Sequence, residues 1–190
     1  IWDDHEVLND YVGADQTLLA RRANAYRAFY EHLPMRDESI PRGPDMPIYR
    51  KVTWGDLAEF SMLDTRQYRS NQPCDDGNRV VPCGDWGSTQ HTMLGDAQEA
   101  WLTSGLGSSR AHWQVLAQQV MVAPFDFRAG AEVQVSMDQW SGYPAARDRL
   151  LGTIAKRAPN RTVVLTGDIH SAWVNELSAD FRRPGAPIVA

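Results

Sequence analysis

An alternation of residue patterns in the carboxyl-terminal half constrains the fold most. His112 opens the apolar run Trp113–Val122, which reads as a buried strand. Tyr143–Arg157 follows, with Ala146, Leu150, Leu151 and Ile154 at helical spacing and Pro144 suited to the first turn. Thr162–Thr166 is again a short buried strand, bounded by Gly167. The same alternation holds upstream. Asp15–Leu33 reads as a helix whose stripe is Leu19, Ala23, Tyr26, Tyr30 and Leu33, with Arg21, Arg22 and Arg27 off it and Pro34 as its stop. Ile48–Val52 and Ala58–Leu63 read as strands of a hairpin about Trp54-Gly55-Asp56. Asp96 and Glu99 make a capping box for a helix through Trp101 and Leu102, which Gly105 and Gly107 are expected to end. Strands alternating with helices imply an α/β layer architecture. A chain of 190 residues, 43% hydrophobic, is expected to form one domain or a large piece of one over residues 1–190.

Charge narrows the partners. The net charge is −5, lysine occurs only at Lys51 and Lys156, and arginine is scattered, so no basic face for a nucleic-acid partner is expected. No apolar run approaches the roughly 20 residues of a membrane span. An anionic substrate would need a bound cation to invert the local field. The two cysteines, Cys74 and Cys83, bracket a polar stretch, and a disulfide in an oxidising compartment is the favoured reading. Free thiols or half of a metal clip are the alternatives, although eight intervening residues without a flanking CxxC fit zinc poorly. Ile1-Trp2 reads as the end of a strand and Pro187–Ala190 as the start of one, so the chain is expected to be part of a longer protein.

Two clusters carry chemistry. Asp3-Asp4-His5-Glu6, with Asn9 and Asp10 just beyond, packs three carboxylates and an imidazole into four residues, an arrangement a cation would relieve. Gly167-Asp168-Ile169-His170 directly follows a strand, where functional groups of open α/β sheets gather. In an extended loop Asp168 and His170 would point the same way, as ligands for a divalent or trivalent cation. The plainer readings are a solvated turn for the first cluster and a helix-capping carboxylate for the second. Asp64-Thr65-Arg66-Gln67-Tyr68-Arg69 also follows a strand. Arg66 or Arg69 would there clamp an anionic oxygen, or pair with Asp64 to staple the loop.

Five runs in series then resemble one family: Trp2–Val7, Leu63–Arg69, Gln118–Met121, Asp138–Arg147 and Leu165–Trp173. They are similar to the PhoD-like alkaline phosphatases, exported phosphoesterases of the calcineurin-like metallophosphoesterase superfamily. The resemblance implies a two-sheet α/β/β/α sandwich, of which this chain would be part. It implies calcium together with ferric iron, hydrolysis of phosphomonoesters and phosphodiesters, and twin-arginine export to a periplasmic, cell-wall or secreted location. By position, Asp4 would be a metal ligand with Asp3 beside it, and His5 would stabilise charge or protonate the leaving oxygen. Asp168 and His170 match the family's last ligand motif, with a hard oxygen donor at Asp168 that suits calcium. Gln119 would offer an amide oxygen to metal, and Arg66 a phosphate contact.

One departure matters. The family's amino-terminal strand with its Asp, and the Gly-Asp-x-x-Tyr segment after it, have no match here, and neither Cys74 nor Cys83 matches the cysteine expected on iron. The 190 residues alone are therefore expected to be inactive, with an incomplete iron site. The rival readings are a secreted calcium-dependent binding module, whose seven Trp would stack on sugars, and a chain of solvated acidic loops that binds nothing.

Overall fold

Gly55, at φ +51°, turns β1 (Arg50–Trp54) back onto β2 (Ala58–Met62) in the computed structural model, which describes all of residues 1–190. The pair is antiparallel, with Arg50 opposite Met62 and Trp54 opposite Ala58. β3 (Trp113–Ala117) lies parallel to β2, and β4 (Thr162–Leu165) parallel to β3, giving one sheet in the order β1-β2-β3-β4. The connections that parallel pairs require contain helices. α2 (Gly95–Ser108) lies between β2 and β3, and α3 (Pro144–Arg157) between β3 and β4. α1 (Leu19–His32) precedes the sheet, led by a short 3-10 turn that Asp15 caps through Thr17 N–H.

The main core lies between these helices and the sheet. Leu102 and Leu106 of α2, Leu116 of β3, and Leu150, Leu151 and Ile154 of α3 are all buried in it. Each such side chain contributes about 1.5–3 kcal/mol. A smaller cluster joins α1 to the amino terminus, where Trp2 stacks on Tyr26 at 4.0 Å and the Tyr11 and Tyr26 hydroxyls meet at 2.8 Å.

The α/β class holds, and these residues build one sheet with its helices; they form no second sheet. Several local expectations change. Asp96 lies inside α2 and caps nothing, and β4 is not a buried strand, since Val163 and Leu165 are exposed. α2 runs through Gly105 and Gly107, because Gly105 faces the Lys51 side chain: a Cβ there would lie 2.3 Å from Nζ. Glycine in this helix serves close packing rather than termination. β3 stops at Ala117; Gln118 N–H still donates to the Leu165 carbonyl at 3.0 Å, and its side chain exchanges hydrogen bonds with the Val120 backbone. Ile1-Trp2 belongs to no strand, and near the carboxyl terminus only an isolated bridge forms, between Ser178 and Ile188. On α1 the buried residues are Arg22 and Tyr26, with Arg22 donating to the Gly13 and Pro44 carbonyls. That places Arg22 inside, on the face it was expected to avoid.

No helix is long and apolar enough to cross a membrane. Cys74 and Cys83 form the expected disulfide.

Candidate metal centre

Three strands running parallel deliver their carboxyl ends to one edge of the sheet. The loops that leave this edge are stitched together by buried amides. Gln119, just past β3, accepts at Oε1 from Thr65 N–H (3.0 Å) and Thr65 Oγ1 (2.7 Å), in the loop after β2. Its Nε2 donates to the Trp2 and Leu63 carbonyls, both at 3.0 Å. The Gln119 backbone carbonyl takes Gly167 N–H at 2.8 Å, fixing the loop after β4. Gln119 therefore binds three segments together. It does not serve as the metal ligand expected of it, because its amide oxygen already accepts two donors.

The amino-terminal turn is set by Asp4. Its buried carboxylate accepts from His5 N–H and Asp10 N–H, each at 2.8 Å, which curls residues 4–10 around it. The neighbouring Asp3 accepts from Arg66 Nε at 2.6 Å. Arg66 is fully buried, and its Nη1 donates to Asp138 at 2.7 Å. Arg69, equally buried, donates to the same Asp138 oxygen at 2.5 Å and to the Asp10 and Tyr11 carbonyls at 2.8 Å. Arg66 and Arg69 thus face carboxylates and backbone inside the protein, and neither presents its fork to the cleft as a phosphate clamp. Asp64 is likewise buried, accepting from Arg66 N–H and Gln67 N–H in a tight turn rather than pairing with an arginine side chain.

After β4, Asp168 and His170 both adopt left-handed backbone, at φ +64° and +55°. The loop is a tight turn rather than an extended one, closed by Ile169 N–H on the Gly167 carbonyl. Gly167 has no positive φ, and a Cβ there would make only ordinary contact, so the strain falls on Asp168 and His170. Non-glycine residues in this region cost about 1–3 kcal/mol and cluster at functional sites. Asp168 also accepts from Gln139 Nε2.

These placements converge. Asp3, Asp4 and Asp168 bring one carboxylate oxygen each to within 4.8 Å of one another. A cleft of about 240 Å3 opens beside them, lined by Asp4, His5, Asp10, Arg79, Asp168 and His170 among others. Burial pushes the Asp3 carboxyl up to about 6, against the pull of Arg66 and helped by Asp168 and Asp4. Burial also raises Asp168, helped by Asp138, and raises Asp10 to about 6. Acids that resist ionisation together are what a cation would stabilise.

The chain matches the sequence profile of the PhoD-like phosphatase family across residues 1–190. It belongs to the PhoD-like phosphatase family.

It is 46% identical to alkaline phosphatase D of Bacillus subtilis (strain 168), over 98% of this chain and 33% of that protein. A solved PhoD structure superposes with a TM-score of 0.94 at 45% identity, covering all of this chain and 37% of the other. The chain thus spans about a third of the length of its curated PhoD-like relative. All five runs that resemble this family lie at the strand ends or pack against them. Trp2, Leu63 and Gln119 share one bracket, and Asp138 and Asp168 join it through Arg66 and Gln139. Sequence reasoning missed Asp138, Gln139 and Arg79 as parts of the centre. Asp138 and Gln139 stood in a run noted only for its resemblance, and Arg79 sits in a polar loop with no local sign of where it folds back.

Proposed function

We propose that the full-length protein hydrolyses phosphomonoesters and phosphodiesters with a metal ion held by Asp3, Asp4 and Asp168. The carrying observation is that Asp168 meets the adjacent pair Asp3 and Asp4, at the opposite end of the sequence, beside a cleft that His5 and His170 also line. Three carboxylate oxygens form a hard donor set, which suits calcium. Ferric iron, also implied by the resemblance, needs donors beyond these; this chain would add His170, while its cysteines are consumed in the disulfide. When bound, such a cation polarises phosphate oxygens and lowers the pKa of a bound water.

The chain's own groups do the rest. Asp4 is pre-set by two backbone donors, so its oxygens need no reorientation. Asp168 is steadied by Gln139. His5, exposed at the cleft wall, would give a proton to the leaving alkoxide oxygen, and His170 lines the same cleft. A secreted or cell-wall location is supported by the disulfide, and twin-arginine export follows only from the family resemblance.

The test is turnover by the full-length protein of an alkyl phosphate such as glycerol 2-phosphate, whose alkoxide leaving group needs a proton. His5→Ala should lower kcat about 10²–10⁴-fold, the usual worth of a positioned acid. Asp168→Ala should abolish activity together with metal retention. Unchanged turnover in both variants would sink the reading.

A further inference from the structure

The arginine expected to meet phosphate is buried, and another stands at the cleft. Arg79 is exposed and lines the cleft together with Asp4, His5, Asp168 and His170. Its guanidinium carbon lies 5.4 Å from the centre of the Phe127 ring, and Phe127 lines the same cleft. Phe127 is itself backed edge-on by Phe125 at 4.7 Å, and Phe125 by Trp173 at 5.0 Å. The guanidinium pairs with no carboxylate of the chain, unlike those of Arg66 and Arg69.

The backbone that carries Arg79 is tied down on both sides. Val80 and Val135 exchange both backbone hydrogen bonds at 3.0 Å, and Met137 N–H donates to the Gly77 carbonyl at 2.8 Å. Ser136 Oγ donates to Asn78 Oδ1 at 2.9 Å. The Cys74–Cys83 disulfide closes the same loop. A fixed backbone and an aromatic platform leave a planar fork with free N–H donors at the mouth of an acidic cleft. That is the arrangement for bidentate recognition of a phosphate group.

We propose that Arg79, stacked on Phe127, is the substrate clamp of the centre, donating to a non-bridging oxygen of the phosphate ester. The proposal rests on the phosphoesterase reading above. The clamp lies opposite the three carboxylates in charge, so it supplies to an entering anion the attraction that the acidic lining withholds. The disulfide and the Val80–Val135 pairing act through Arg79 and are positioning features.

The test uses the metal-loaded, full-length protein, with inorganic phosphate as the calorimetric probe and p-nitrophenyl phosphate as substrate. Loss of one charge-assisted contact predicts that Arg79→Ala weakens phosphate binding and raises KM by about 10–100-fold. Metal content should stay the same and kcat should change far less than KM. Arg79→Lys should recover part of the affinity, keeping the charge without the fork, and Arg79→Gln should behave as Arg79→Ala. Unchanged KM and phosphate affinity in Arg79→Ala, with wild-type turnover intact, would overturn the clamp alone. Wild-type protein that binds phosphate through Arg79 but hydrolyses no ester would overturn the hydrolytic reading and leave the clamp. Wild-type protein that neither binds phosphate nor turns over would overturn both.

Discussion

Replacing Asp138 by Ala removes the acceptor on which the buried half of the centre depends. One Asp138 oxygen takes Arg66 Nη1 at 2.7 Å, Arg69 Nη2 at 2.5 Å and Gln72 Nε2 at 3.0 Å. Both guanidiniums have 0% side-chain exposure, so water cannot replace the lost partner. Breaking a buried ion pair from one side costs about 3–5 kcal/mol. Arg66 keeps Asp3, and Arg69 keeps the Asp10, Tyr11 and Asp138 carbonyls, which places the cost near 3 kcal/mol. At roughly 2–4 °C per kcal/mol, Tm should fall by about 6–12 °C. The effect should extend to metal, because Asp3 is oriented through Arg66; losing such a support typically weakens metal affinity about 10–100-fold. The two arginines hold Asp138 below the usual carboxylate range despite its burial. A depressed carboxylate stabilises above its unfolded pKa and loses that contribution as pH falls through the folded value. That contribution should therefore be present from pH 8 to 5 and be lost only in strong acid, while Asp10 and Asp168, both of which Asp138 helps to raise, should ionise more readily in the variant. Urea unfolding across that range is the assay. A variant within about 1 kcal/mol of wild type at pH 8 would refute the reasoning, since 1 kcal/mol is an ordinary surface-level change.

Gly13→Ala should destabilise by more than about 2 kcal/mol in chemical denaturation, because its Cβ would fall 1.6 Å from the Gln67 carbonyl oxygen and force backbone apart. Opening the disulfide by the double variant Cys74→Ser, Cys83→Ser should cost about 2–3 kcal/mol in the chain-entropy picture, read by calorimetry. Asp3 and Asp10, both raised to about 6, bind protons more readily folded than unfolded, so the metal-free protein should lose stability as pH climbs from about 4 through 6. Thermal melts in chelator should show that slope, and saturating calcium should flatten it.

The alternation of apolar runs and helical stripes carried the strand and helix assignments because period alone decides them. The end of β4 likewise pointed to Asp168, since the topology of parallel strands brings such ends to one edge, whereas Asp3 and Asp4 follow no strand and only their crowded charges marked them. What residue type does not reveal is whether a lone pair is already in use. Gln119 and Arg66 have the chemistry of a ligand and a clamp, yet hydrogen bonds to Thr65 and to Asp3 and Asp138 occupy them inside the protein. Arg79 shows the converse. Nothing near it in sequence marks it, and the bonds of its loop to Val135, Ser136 and Met137 bring it to the cleft. Gly105 and Gly107 were misread for a related reason: a glycine that stops a helix and one that admits a neighbour's side chain look the same in one dimension.

The carboxylate triad is tested most directly by the metal content of the full-length protein after gel filtration, measured by mass spectrometry for wild type and for Asp4→Ala, Asp168→Ala. Wild type should retain at least about one calcium per chain, the expectation for a three-carboxylate hard-donor site, and the double variant should lose it. Equal metal content in the two proteins, or none in wild type, would contradict a cation held by Asp3, Asp4 and Asp168.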